Sequence, residues 1–142
     1  MLRTYSQDLL DLFVKSVKGD KKAFTALLTT EKHPELAALS NAIRGDEQAV
    51  MWLRARAKDL WVLFEAMDHN EPALKKLQMQ EDKFDISFVL ACRDRIEGKV
   101  WLEKNNYTQF LPICETIASM LKTASKIGAW DWLYNGSIRK LH

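Results

Sequence analysis

Glycine, proline, histidine and cysteine are all scarce in this chain. Its 142 residues include five glycines, three prolines, three histidines and two cysteines. The glycines are isolated, which excludes a Gly-rich phosphate loop, a Walker motif and a Gly-x-Ser-x-Gly elbow. His33, His69 and His142 stand far apart, with no His-Glu-x-x-His or His-x₃-His spacing, so no metal site is expected. Cys92 and Cys114 sit in apolar helical runs and read as reduced, buried core thiols. No stretch approaches the ~20 apolar residues of a membrane span. The first residues lack the apolar run of ~7–15 residues that a secretory signal needs. A cytoplasmic chain without cofactor is therefore expected. One-signed charge is lacking too. The 21 basic and 19 acidic residues leave +2, too balanced for a general polyanion binder.

What the chain does have is leucine and alanine: 19 and 14, against six valines and seven isoleucines. That bias favours helix over strand. With 47% apolar residues and no Gly/Ser/Pro-rich linker, one all-α domain over 1–142 is expected.

The chain repeats itself. Gly19-Asp20-Lys21-Lys22-Ala23-Phe24-Thr25-Ala26-Leu27 returns as Gly45-Asp46-Glu47-Gln48-Ala49-Val50-Met51-Trp52-Leu53. It returns again from His69 to Leu77 and, more diverged, from Asp94 to Leu102. The starts at 19, 45, 69 and 94 are 26, 24 and 25 residues apart. Behind each start lies an apolar stripe at helical spacing. Phe13, Leu39, Leu63 and Phe88 fall six back, and Val17, Ile43, Met67 and Cys92 two back. Nine back stand Leu10, Leu36, Leu60 and, against the pattern, Asp85. Phe110, Ile113 and Ile117 continue the stripe beyond the fourth copy. A small residue recurs three back: Ser16, Ala42, Ala66, Ala91 and Thr116.

Each unit reads as a longer helix, a turn, and a shorter helix. Asp20, Asp46 and Asn70 suit helix N-caps, and Gly19 and Gly45 suit the left-handed residue that ends a helix. Pro34 and Pro72 fall at helix starts. Helices are expected near 6–18, 21–29, 34–44, 47–56, 59–68, 71–79, 84–94, 97–104 and 107–124, with a Trp-rich segment at 128–134. Stacked, these two-helix tandem repeats make a short right-handed α-α superhelix. Trp130 and Trp132 would cap its open end within 128–142.

The phrase Ala42-Ile43-Arg44-Gly45-Asp46-Glu47-Gln48-Ala49-Val50-Met51-Trp52-Leu53 resembles the inner part of an ankyrin repeat. The resemblance covers about half of each unit. The Thr-Pro-Leu-His opening is absent, and the period is short by about eight residues, the length of the ankyrin hairpin. The resemblance implies an ankyrin-like or other helical-hairpin solenoid rather than a true ankyrin domain, and by analogy protein binding along one face.

The expected function is thus a non-enzymatic protein-interaction or scaffold module. Trp52 and Trp101 share a repeat column and read as packing. Trp61 lies to one side of its stripe, in the column of Asp11, Ala37, Ile86 and Leu111, and Leu90 follows Ile86 by one turn. Trp61, Ile86, Leu90 and Leu111 form a candidate apolar rim, flanked by Arg44 and Arg93, for a protein partner or a second copy of the chain. The alternative is inter-repeat packing. A nucleic-acid-binding helical repeat is the second functional class, on Lys15-Lys18-Lys21-Lys22, Arg54-Arg56-Lys58 and Arg93-Arg95-Lys99. The column Lys18, Arg44, Asp68, Arg93 has one member of the wrong sign, and acidic residues interrupt each cluster. An enzyme ranks third. Cys114 as nucleophile is outweighed by its place beside Val14, Phe64 and Val89 on the buried stripe.

Overall fold

The computed structural model describes the backbone of residues 1–135 and the side chains of residues 1–124. Among the described residues there are nine α-helices and no strand. They are α1 Gln7–Val17, α2 Lys21–Leu28, α3 Pro34–Ile43, α4 Glu47–Arg56, α5 Lys58–Met67, α6 Glu71–Gln80, α7 Lys83–Cys92, α8 Ile96–Lys104 and α9 Leu111–Asn135. Single 3-10 turns stand at Leu2–Thr4 and Thr108–Phe110.

The caps lie where the sequence puts them. Asp20 accepts from the amides of Lys22 and Ala23, Asp46 from Gln48 and Ala49, and Asn70 from Ala73. Arg95 stands at the fourth equivalent place and makes no such bond. The backbone carries the repeat as two series of turn residues. Gly19, Gly45, His69 and Asp94 all have positive φ, at 102°, 101°, 66° and 64°. Lys32, Glu81 and Asn106 do the same in the return turns, at 55°, 60° and 66°. Ala57, which stands between Lys32 and Glu81 in that series, stays at φ −143°.

Packing follows the hairpins. Each odd helix packs on the even helix after it, and α1, α3, α5 and α7 pack successively on one another. The repeat leucines Leu27, Leu53, Leu77 and Leu102 are at most 1% exposed, and the inner stripe beside them is equally buried. Two lengths differ from expectation. Only the first hairpin pairs a long helix with a short one, 11 residues with eight; the second and third pair ten with ten. α9 also runs unbroken to Asn135, where a helix ending near 124 and a separate segment at 128–134 were expected. The proposed cap through Trp130 and Trp132, and the tail after 135, lie outside the described residues.

α9 does more than continue the series. Phe84, Phe88, Tyr107 and Phe110 join it to α7 through edge-to-face ring contacts, with Phe84 and Phe110 centroids 4.9 Å apart. It also packs against α1 and α3. The first and last odd-numbered helices are therefore neighbours, and the stack closes on itself. Between α1 and α9 remains a cleft of about 330 Å³, lined among others by Lys15, Lys18, Gln109 and Pro112.

The N-terminal turn closes one end of this stack, a feature absent from the sequence expectation. Leu2 is fully buried. The Met1 amine meets Asp85 of α7 at 2.7 Å, and Arg3 forks onto Asp82 at 3.1 and 3.3 Å. The Tyr5 hydroxyl donates to Glu35 of α3 at 2.9 Å, and His33 Nδ1 reaches the same carboxylate oxygen at 2.9 Å. Asp85, the residue that broke the leucine column, is buried because it holds this strap.

Candidate functional site

The six sequence-designated rim residues fall into two groups. Arg44 and Arg93 each reach back along the repeat, Arg44 staying exposed and Arg93 half-buried. The Arg44 guanidinium donates to the Val17 carbonyl at 3.1 Å, and that of Arg93 to the Ala66 carbonyl at 2.8 Å. Both bonds reach back 27 residues, to the end of the preceding odd helix. They satisfy carbonyls that a helix C-terminus leaves without partners. Arg93 adds an ion pair to Glu71 at 2.7 Å, and its side chain is only 6% exposed. That pair holds the Glu71 carboxyl below its usual range. Both arginines thus clamp successive repeats, a role that stands beside the expected one as partner anchors. Lys18 and Asp68 stand at the equivalent places in the other two units.

The apolar four are all half-buried. Trp61, on α5, lies under the Arg54 guanidinium of α4, 5.4 Å from ring centroid to Cζ. Leu90, on α7, faces α8: a Cβ built on Gly98 would stand 2.9 Å from that of Leu90. Ile86 and Leu111 pack against the core. Trp61 and Leu90 therefore turn to different seams, α4–α5 and α7–α8. Trp52 and Trp101 pack against the core as well, the latter stacked on Tyr107 at 5.9 Å.

At the α4–α5 seam the half-buried Trp61 ring carries an exposed cation on its face. Met51, one turn before Arg54 on α4, is 69% exposed. Sequence reasoning placed Arg54 only in a basic cluster and passed over Met51, because a cation two positions before the end of a helix reads as an ordinary solvated charge. The signal was the reach from Arg54 to Trp61 across a tight turn.

No family model, curated protein or solved structure matches this chain.

Proposed function

We propose that this chain is a protein-binding module, an ankyrin-like stack of helical hairpins that works in the cytoplasm. Its contact patch is the α4–α5 seam. The observation that supports this is the half-buried Trp61 ring under Arg54, with Met51 exposed one turn before Arg54 on α4. Trp and Arg are the residues that most often carry interface energy, and methionine adapts to an apolar partner. Ile86, Leu90 and Leu111 contribute to the packing of the later hairpins that holds this seam in place.

The partner is a protein with an apolar side chain to lay on the indole and a carboxylate for Arg54. Partner capture from native extract, followed by titration with the purified partner, tests this. Trp61→Ala and Arg54→Ala should each weaken binding at least fivefold, about 1 kcal/mol. Arg54→Ala should leave the melting temperature within about 2 °C of the parent. A large loss of stability without a selective loss of binding contradicts the proposal. So does a polyanion ligand released steeply between low and moderate salt.

A further inference from the structure

The two cysteines, 22 positions apart in the chain, meet in the fold. Cys92 ends α7 and Cys114 lies in the first turn of α9, and both are buried. The Cys114 thiol points at the Phe88 carbonyl, 3.7 Å away. Phe88 is one helical turn before Cys92 on the same face of α7, so Cys114 Sγ lies beside the turn that carries Cys92. Cys92 also lines a cavity of about 360 Å³ between the ends of α5 and α7 and the body of α9, together with Asp68, His69, Arg93, Leu121 and Lys122. Both thiols are buried, and Cys92 is the one whose residue borders this cavity.

We propose that Cys92 and Cys114 are a dithiol pair that closes to a disulfide under a peroxide, locking α9 onto α7. The cavity admits the oxidant to Cys92. Hydrogen peroxide transfers one oxygen to the Cys92 sulfur, giving a sulfenic acid and one water. The Cys114 sulfur then attacks that sulfur; the S–O bond breaks and a second water leaves with the thiol proton. Two thiols and one peroxide yield one disulfide and two waters. Burial, and then the neighbouring Cys114 thiol, push the Cys92 thiol up, so its thiolate is scarce. The reaction is accordingly slow and selective for small oxidants. Its consequence is local to the helix that closes the stack: α9 is held to α7 covalently, while its contacts with α1 and α3 stay noncovalent.

The experiment treats the folded full chain with hydrogen peroxide and follows it by thiol titration, intact mass and peptide mapping without reductant. The expected result is a monomer that loses two hydrogens and both free thiols, with a Cys92–Cys114 linked peptide. Its melting temperature should rise on the order of 10 °C and fall back on adding dithiothreitol. Cys92→Ala and Cys114→Ala should show neither the linkage nor the rise. Any of three results overturns the proposal: both thiols persisting in the folded chain, over-oxidation to sulfinic acid without linkage, or disulfides only between chains. Because the readout is covalent, it is independent of whether the Trp61 seam binds a protein.

Discussion

Gly98 shows how little room the seams leave. It is the fourth member of the column Ala23, Ala49 and Ala73, and it sits where α8 crosses α7. A methyl group there would overlap the Ser87 carbonyl and stand 2.6 Å from the Ala91 nitrogen, both backbone atoms that cannot swing aside. Gly98→Ala should therefore cost about 3 kcal/mol or more in denaturant melts, although alanine is the better helix former. Leu53→Ala, at a fully buried repeat position, should cost about 2–5 kcal/mol. A loss under about 1 kcal/mol at Leu53 would count against the shared register. Glu81 works in the opposite direction. It is exposed and held at φ 60°, a left-handed conformation costing a side-chain residue roughly 1–2 kcal/mol. Glu81→Gly relieves that and adds chain entropy to the unfolded state, for a net gain of about 0.5–1 kcal/mol. Unchanged or lower stability in the same melts would show that the turn is not strained.

At the scale of elements, periodicity and turn chemistry carried most of the fold. The four turns, the three Asx caps and both N-terminal prolines were legible because each rests on local physics. The helix bounds accordingly agree to within two residues from α1 to α8. The strap at Leu2–Thr4 was not legible, since its partners lie on α3 and α7 and no local pattern announces them. Asp85 was the single trace of it, an acid in a leucine column that implies a buried cation. Two carboxylates holding the strap have pKa values below the ordinary range. At Glu35, burial pushes upward, but the bonds from His33, its own amide and Tyr5 prevail. At Asp82, burial is likewise outweighed by the Asp85 amide and Arg3. Folded values below the unfolded ones mean that their stabilisation is complete above the usual carboxylate range, near pH 4, and is lost as pH falls through the lower folded values. The Tyr5 phenol is raised by burial and by Glu35, so its contribution is present below its ordinary value near pH 10 and is lost on the alkaline side. Tyr5 ring resonances should move toward those of free tyrosine as pH falls below about 4 and as it rises above about 10, and resonances constant through both limits would contradict this role for the strap.

At the scale of the whole molecule, the repeat was legible and its closure was not. The spacings 26, 24 and 25 predict stacked hairpins, but curvature depends on how small side chains set the approach of successive helices, a sum no single motif displays. The rim illustrates the same limit. The wheel places Trp61, Ile86, Leu90 and Leu111 to one side of the stripe, and Arg44 and Arg93 near them. The fold then spends both arginines on the preceding repeat and turns Trp61 and Leu90 to separate seams. Closure also decides which surfaces remain for a partner. With α9 against α1, α3 and α7, the outward seams between hairpins, Trp61 among them, are what the molecule presents.

The distance between α1 and α9 tests that closure most directly. Spin labels at Lys15 of α1 and Pro112 of α9, which line the same cleft, would be placed in a chain with Cys92 and Cys114 replaced by alanine. The closed stack predicts one narrow distance distribution centred below about 25 Å, two helix diameters plus the label arms. An open stack sets α1 and α9 four helix spacings apart, roughly 32–40 Å, and a distribution centred there would contradict the account.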